Sequence, residues 1–278
     1  AVPSDGAGYS SPVISEAGGV RQYVTLLSNS VVGVRAKDGQ LLWRYGNDRA
    51  HFQGNTANIP TCIVGGDYVF CAAGYRRGGG LIKLSKRGNR FAATQVYFSR
   101  SLANKHGGII KVGRYLFGDD DDKGRPWCAL AKSGKIIWSK PRTRTKGSGS
   151  ASMTYADGHL YVRYSNAYMA LVKATLKGYR EVSIFKIPNG SRNSWAHPVV
   201  VGGKMYLREQ DTLWCYYVKK CSKGVPYAGA CRRSRPNGVG TLSAGQHSGQ
   251  RQSLRRALCE RADSGESRCH RGGRQSSG

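Results

Sequence analysis

Acidic residues and long apolar runs are scarce in this sequence of 278 residues. Sixteen Asp and Glu stand against 44 Lys and Arg, which gives a formal net charge of +28. No run approaches the roughly 18 consecutive apolar residues that a membrane-spanning helix needs. The start, Ala1-Val2-Pro3, has neither an initiator Met nor a signal segment, which predicts a processed or truncated N-terminus. Because 39% of the residues are apolar, the chain can bury a core, and a disordered polymer is excluded.

Catalytic and metal-binding motifs are also missing. The sequence contains no hydrolase elbow, phosphate loop, zinc-protease helix or dinucleotide fingerprint at the required spacing. The cysteine pairs Cys221/Cys231 and Cys259/Cys269 are separated too widely for a zinc knuckle. We therefore predict no catalytic residue and no metal site from motifs.

The positive charge invites a nucleic-acid function, because a basic surface gains free energy by releasing counterions from phosphates. The distribution of the charge argues against a specific site. Residues 221–278 carry 11 Lys and Arg against 3 Asp and Glu, and the first 220 residues carry 33 against 13 without a compact basic segment. We predict no specific nucleic-acid binding, and nonspecific attraction of polyanions stays as an alternative.

A repeat of about 46 residues is present. A hairpin pattern of apolar run, turn glycine and aromatic-containing strand recurs at CIVGGDYVF (62–70), IIKVGRYLF (109–117), MTYADGHLYV (153–162) and VVVGGKMYL (199–207), with an earlier copy at 12–27. Its glycines are Gly19, Gly66, Gly113, Gly158 and Gly203. A second strand–turn–strand pattern follows each hairpin, as in VVGVRAKDGQLLW (31–43) and WCALAKSGKIIW (127–138), with turn glycines at Gly39, Gly88, Gly134 and Gly178.

Two hairpins in one period predict a four-stranded antiparallel unit, which is the size of a propeller blade. One such sheet cannot bury both faces alone, so the units must stack around an axis, with Trp43 and Trp138 packed between neighbours. Five units begin before residue 220, and the fifth is expected to lack its last strand. We predict an all-β protein, a β-propeller of four-stranded antiparallel blades in a partial ring of about five blades.

These motifs resemble the pyrroloquinoline-quinone-like repeat family, whose blades carry Leu-x-Ala-x-(Asp/Thr/Ser)-Gly followed by apolar residues and Trp. The resemblance covers residues 9–220 and is closer to bacterial secreted or envelope propellers, through segments such as YSSPV (9–13) and SWAHPVVVGGKMYLR (194–208). It implies an exported, periplasmic or extracellular protein. The enzymes of the family use the quinone and Ca²⁺, with a general-base Asp and usually a disulfide of adjacent cysteines, a pair that this sequence lacks.

After Lys220 the period stops, and the composition changes to Arg, Ser, Gly and Cys. We predict two parts, the repeats at 1–220 and a basic tail at 221–278. A disordered extension, a small zinc or disulfide module and translation in a shifted reading frame are all open for the tail. Because the change falls abruptly within a blade, a disordered or non-native tail is favoured.

Polar and aromatic residues recur just before each innermost strand. They are Tyr9, Ser11, Asn58, His106, Ser150, Trp195 and His197. In a propeller these loops surround one mouth of the central channel, where a ligand or a peptide can bind. The alternative is that each residue caps its strand. Neither histidine has a carboxylate partner nearby in the sequence, so we assign no catalytic role to them.

The run Asp119–Asp122 and two cysteines are further candidates. Asp119 and Asp121 could offer oxygen ligands to Ca²⁺, but consecutive residues of an extended chain point in opposite directions, and a solvated turn or sequence drift is the alternative. Cys62 and Cys71 face one another if their hairpin turns at Gly66-Asp67, but not if it turns at Gly65-Gly66. The sequence therefore does not decide whether Cys62 and Cys71 form a disulfide.

We interpret the chain as a non-catalytic propeller, without a cofactor, that binds a protein or polymer partner at the channel mouth or at a blade edge. One alternative is a fragment of a quinone-dependent dehydrogenase, which would use pyrroloquinoline quinone and Ca²⁺. Another is a polyanion binder whose affinity falls with salt. In an open ring the first and last blades each have one uncovered face, which predicts self-association of residues 1–220.

Overall fold

A computed structural model describes residues 5–46, 58–106, 108–141, 146–191, 193, 195–218 and 231–233. These residues form twenty β-strands and two short 3₁₀ helices, arranged as five four-stranded antiparallel sheets. In every sheet the strands follow chain order, so each strand pairs with the next one. The prediction of an all-β protein built from four-stranded antiparallel units is confirmed.

The strands have the following bounds. The first sheet contains β1 (Val13–Ser15), β2 (Gln22–Leu26), β3 (Val31–Arg35) and β4 (Leu41–Tyr45), and the second contains β5 (Ile63–Gly65), β6 (Tyr68–Ala73), β7 (Gly78–Arg87) and β8 (Arg90–Ser99). The third contains β9 (Ile110–Val112), β10 (Tyr115–Asp119), β11 (Pro126–Leu130) and β12 (Ile136–Ser139). The fourth contains β13 (Ala151–Ala156), β14 (His159–Tyr164), β15 (Tyr168–Lys173) and β16 (Glu181–Lys186), and the fifth contains β17 (Val199–Val201), β18 (Lys204–Glu209), β19 (Thr212–Tyr217) and β20 (Cys231–Arg233). The 3₁₀ helices are Ala17–Gly19 and Arg100–Leu102.

The turn glycines that define the repeat have the backbone conformation that tight turns require. All nine have positive φ, between 55° and 108°. At Gly66, for example, the chain reverses between β5 and β6 with φ at 55°. Residues with a Cβ rarely adopt this region, so the glycines determine where each hairpin turns.

The core lies between the sheets, which pack face to face in chain order. Four clusters join consecutive sheets: Val24, Trp43, Val69 and Ile82; Phe70, Leu81, Leu116 and Trp127; Phe117, Trp138, Leu160 and Val162; and Tyr161, Met169, Met205 and Trp214. The predicted inter-sheet packing of Trp43 and Trp138 is confirmed. Among the described residues no such cluster joins the fifth sheet to the first, so the five described sheets form an open ring. None of the helical segments in this part of the chain has the length and apolar character of a membrane span.

The fifth sheet has a fourth strand that the sequence did not predict. β20 pairs antiparallel with β19, and Cys231 lies opposite Cys215. The expectation that the fifth unit lacks its last strand is therefore wrong, because a three-residue strand pairs through its backbone and needs no repeat motif. Apart from β20, residues 221–278 lie outside the described residues, and the division at 220 stays a prediction.

A disulfide joins the two cysteines of the β5–β6 hairpin. The hairpin turns at Gly66-Asp67, since Gly65 pairs with Tyr68. Cys62 and Cys71 form a disulfide with their Cα atoms 4.8 Å apart. Both lie in the core between the first and second sheets.

We expect the double variant Cys62→Ala/Cys71→Ala to lose about 2–3 kcal/mol of unfolding free energy. The disulfide closes a short loop, and its removal returns conformational entropy to the unfolded chain. Urea unfolding without reductant measures the loss. Reductant should lower the unfolding free energy of the wild type to that of the variant and leave the variant unchanged. An unfolding free energy of the wild type that does not change with reductant would contradict the disulfide.

Candidate binding site at the channel mouth

One end of the propeller collects the predicted site residues. The first strands of neighbouring sheets contact one another, as β1 does with β5 and β13 does with β9 and β17, so these strands form the inner ring. Each sheet is an antiparallel meander. The loop before its first strand and the turn between its second and third strands therefore lie at the same end.

A stacked pair of rings is the main feature of this end. The rings of His106 and Trp195 have centroids 4.3 Å apart and planes at 17°. His197 lies beside them, with Nε2 3.4 Å from the carbonyl oxygen of His106 and Nδ1 3.3 Å from that of Met153. The structure thus brings together three residues that the sequence predicted, from the loops before the third and fifth sheets.

Trp195 is held by its backbone, and the residue is 45% exposed. Three side chains of the fourth sheet donate hydrogen bonds to carbonyls of the Trp195 segment. They are Ser152 Oγ to Trp195 (2.6 Å), Thr154 Oγ1 to Pro198 (2.5 Å) and Arg163 Nη1 to Ala196 (3.0 Å). The indole is therefore presented to solvent on a backbone that these three hydrogen bonds hold.

The exposed surface continues from the rings onto the second sheet. Lys105 precedes His106, and its Nζ lies 4.5 Å from the centroid of the Tyr75 ring. Tyr75 is 54% exposed. We call Tyr75, Lys105, His106 and Trp195 the mouth strip. Tyr75 and Lys105 were not predicted from the sequence, although Tyr75 opens a Tyr-Arg-Arg turn at the predicted end.

The aspartate run fastens the loops beneath the mouth strip. The carboxylate of Asp121 accepts hydrogen bonds from the backbone N–H groups of Tyr75 (3.2 Å) and Arg76 (3.0 Å). Asp122 accepts from Lys105 Nζ at 2.8 Å and from the Ser150 hydroxyl. The run thereby connects the second, third and fourth sheets, and the interpretation as sequence drift is not needed.

The electrostatics of the run also differ from those of a solvated turn. Asp119 is buried and accepts from the backbone N–H of Ala151 at 3.0 Å. Burial raises the pKa of Asp119 well above its ordinary value and raises that of Asp121 as well. Burial opposes ionisation of Asp122 too, but the hydrogen bonds from Lys105 and Ser150 outweigh it and lower the pKa. The expectation of a solvated turn is wrong for Asp119 and Asp121.

The same contacts bear on the Ca²⁺ and quinone site that the family resemblance implied. Both carboxylate oxygens of Asp121 accept backbone hydrogen bonds. In the part of the chain that the structure describes, no group of three or more His, Cys, Asp or Glu side chains is placed to hold a metal ion. The described residues therefore do not fit a Ca²⁺ site of this kind, and we derive no step through one.

Of the other predicted mouth residues, two are buried and two are exposed. Asn58 is fully buried, and its Nδ2 donates to the carbonyls of Leu27 (2.6 Å) and Ser28 (2.9 Å), just after β2. Ser150 is buried against Asp122. Tyr9 and Ser11 are exposed near the first sheet, and the N–H of Tyr9 donates to the carbonyl of Asn58. Asn58 and Ser150 thus hold loops together, and we leave them out of the candidate surface.

A pH dependence follows from the position of His106. Burial first, and the neighbouring Lys105 cation second, lower the pKa of His106 to about 4. The unfolded chain therefore binds the proton at a higher pH, near 6.5. The stability contribution of neutral His106 is present above pH 6.5 and is lost as the pH falls toward 4.

We expect His106→Phe, which keeps a ring against Trp195, to weaken this loss. Between pH 7 and pH 4.5 the wild type should lose about 1–2 kcal/mol more unfolding free energy than the variant. The difference is no larger because the His106 ring is only partly buried, so solvent screens part of the effect. Urea unfolding at several pH values measures the difference. Parallel pH profiles for the two proteins would show that His106 is not the titrating group.

Comparisons with known proteins agree with this fold. The family model described as outer membrane protein assembly factor BamB matches residues 2–140. No curated protein matches the chain. Among solved structures, BamB from Moraxella catarrhalis is similar at 14% identity and a TM-score of 0.51, over 80% of this chain and 71% of that one.

Two further structures have the same level of similarity. The computationally designed Ika8 protein has a TM-score of 0.52 at 9% identity, over 77% of this chain and 58% of its own. The quinohemoprotein alcohol dehydrogenase ADHIIG from Pseudomonas putida HK5 has a TM-score of 0.52 at 14% identity, over 77% of this chain and 40% of its own. At these identities the similarities show the fold alone.

Proposed function

Because this chain belongs to the family described as outer membrane protein assembly factor BamB, we propose that it is a non-catalytic propeller that binds a polypeptide partner at the mouth strip. The observation that carries the proposal is Trp195, which is stacked on His106, held by its backbone and 45% exposed. A relative in this family is an assembly factor for outer membrane proteins. We therefore propose that the partner lies in the periplasm or elsewhere in the bacterial envelope.

The chemistry of the mouth strip favours a partner with aromatic and acidic side chains. Exposed Trp and Tyr are the residues that most often dominate binding energy at protein interfaces. Because three side-chain hydrogen bonds already hold the Trp195 segment, a partner loses little free energy in ordering it. Exposed Arg76 and Arg77 lie next to Tyr75 and supply positive charge. Acidic groups on the partner would complement that charge.

A binding titration of the full chain tests the proposal. The probe is a labelled extended peptide that contains tyrosine and glutamate, and its affinity is measured by fluorescence anisotropy. We expect Trp195→Ala to weaken binding about 10–30-fold, which is the effect of losing a central aromatic contact. The matched control is Tyr155→Ala, an exposed aromatic at the opposite end of β13, which should leave the affinity unchanged.

Other results of the same titration would favour the alternatives. Equal losses in Trp195→Ala and Tyr155→Ala would contradict the mouth strip as the site. Binding that disappears in high salt and ignores both substitutions would favour the polyanion binder. In a separate thermal melt, a saturable rise in melting temperature with pyrroloquinoline quinone and Ca²⁺ would favour the dehydrogenase fragment.

We also propose that the open ring associates with itself. The first and fifth sheets each keep one face that no described sheet of the chain covers. Both faces carry exposed apolar residues, such as Tyr23 and Val199. Contact between two copies would remove these residues from water.

A further inference from the structure

The first sheet has an apolar row on its uncovered face. Ile14, Tyr23, Val34 and Leu41 lie side by side across β1, β2, β3 and β4. Ile14, Tyr23 and Leu41 are 48%, 43% and 39% exposed. Successive residues of a strand point to opposite faces, and Val24 packs on the second sheet. The row therefore lies on the face that points away from the second sheet, which we call the first-sheet face.

The fifth sheet has a matching uncovered face. Val199, Tyr206 and Cys215 lie side by side across β17, β18 and β19. They alternate with Met205 and Trp214, which pack on the fourth sheet. Val199 is 54% exposed. We call this surface the fifth-sheet face.

The residues of the two faces stand at the strand positions that join consecutive sheets elsewhere in the repeat. Tyr23 is the second residue of the second strand in its sheet. Its equivalents Val69, Leu116, Leu160 and Met205 all pack on the preceding sheet. Tyr206 is the third residue of the second strand. Its equivalents Val24, Phe70, Phe117 and Tyr161 all pack on the following sheet.

We propose that the fifth-sheet face of one copy packs on the first-sheet face of a second copy, in a head-to-tail contact. This inference rests on the proposed self-association and adds its polarity. The contact repeats the arrangement that joins consecutive sheets four times within the chain, so the same side-chain positions meet. Such a contact is heterologous and leaves one free face of each kind on every dimer. Association therefore continues to larger species as the concentration rises.

Charge on the fifth-sheet face also opposes a symmetric contact. Lys204, Tyr206 and Arg208 alternate with buried residues of β18, so both cations point to this face. Two fifth-sheet faces placed together would bring each cation near its own copy. Like charges at an interface oppose association. On the first-sheet face, Arg44 lies opposite Val32, and its charge is compensated by Asp5 at 3.2 Å.

Mixing two charged variants of the full chain tests the polarity. Tyr23→Asp blocks the first-sheet face and Val199→Asp blocks the fifth-sheet face. Each variant alone should self-associate at least tenfold more weakly than the wild type, because every head-to-tail contact needs both faces. An equimolar mixture should form one species of twice the 30.2 kDa chain mass that does not grow with concentration. Sedimentation velocity measures these masses.

A control variant and the possible contrary results distinguish the polarity of the contact from self-association itself. Leu176→Asp, an exposed residue between β15 and β16, should associate as the wild type does. If Val199→Asp alone still dimerises and the mixture adds no new species, the contact is symmetric and the polarity is overturned. A wild type that stays monomeric at every concentration overturns the self-association itself. If Tyr23→Asp melts early, Leu41→Asp blocks the same row in its place.

Discussion

Replacing Glu209 with alanine is expected to lower the free energy of unfolding by about 3–5 kcal/mol. Arg163 Nη2 lies 2.6 Å from Glu209 Oε2, and the two side chains are 1% and 3% exposed. Glu209 also accepts from the N–H and hydroxyl of Ser191. The substitution leaves the Arg163 guanidinium buried without its counter-charge, which costs more than the pair itself contributes. Urea unfolding monitored by circular dichroism measures the loss.

Two controls separate burial from charge. Asp38→Ala breaks an exposed pair with Arg35 and should change the unfolding free energy by less than about 0.5 kcal/mol. Arg163→Met/Glu209→Leu removes both buried charges and should recover most of the loss. A loss below about 1 kcal/mol in Glu209→Ala would show that water reaches the pair.

The same pair links stability to the mouth strip. Arg163 also donates to the carbonyl of Ala196, beside Trp195. The double variant should therefore be stable but bind the tyrosine–glutamate peptide more weakly, because the Trp195 segment loses one of its fastenings.

Replacing Trp127 with alanine is expected to cost about 3–5 kcal/mol of unfolding free energy. Trp127 is 1% exposed and lies in the core between the second and third sheets. Its ring covers Gly118 on the neighbouring strand so closely that a Cβ there would lie 2.4 Å from the ring. The surrounding sheets cannot collapse into the space that the indole leaves. Thermal or urea unfolding measures the loss.

The matched control is the same substitution at an exposed indole. Trp195→Ala should cost much less, about 1 kcal/mol, because it fills no core and loses mainly the stacking on His106. Gly118→Ala should destabilise by about 1–3 kcal/mol, since the added methyl group overlaps the Trp127 ring. Similar losses in Trp127→Ala and Trp195→Ala would contradict the assignment of one to the core and the other to the surface.

Local patterns were enough to predict the architecture. Gly66, Gly113, Gly158 and Gly203 mark the hairpin turns because positive φ is a local requirement that glycine meets. Trp43 and Trp138 were assigned to inter-sheet packing from their place at the end of an apolar strand. These features need no knowledge of distant residues, so a single sequence reveals them.

Contacts between neighbouring sheets were harder to predict because their partners lie about one repeat apart. Asp121 meets Tyr75 across 46 residues, and Arg163 meets Glu209 across 46. A search for opposite charges one period apart would have found Arg163 and Glu209, but not Asp121, whose partners at Tyr75 and Arg76 are backbone N–H groups. The disulfide depended on a one-residue choice of turn, which two adjacent glycines left open. Asn58 was predicted as a mouth residue because the sequence does not show that the first sheet buries its amide and accepts its hydrogen bonds.

The most direct test of the mouth strip is iodide quenching of tryptophan fluorescence in the full chain. Of the five tryptophans, Trp195 is 45% exposed, whereas Trp43, Trp127, Trp138 and Trp214 are buried. We expect one quenchable component that disappears in Trp195→Phe and that the tyrosine–glutamate peptide protects in the wild type. A peptide that binds while the quenching of Trp195 stays unchanged would place the partner elsewhere and contradict the account.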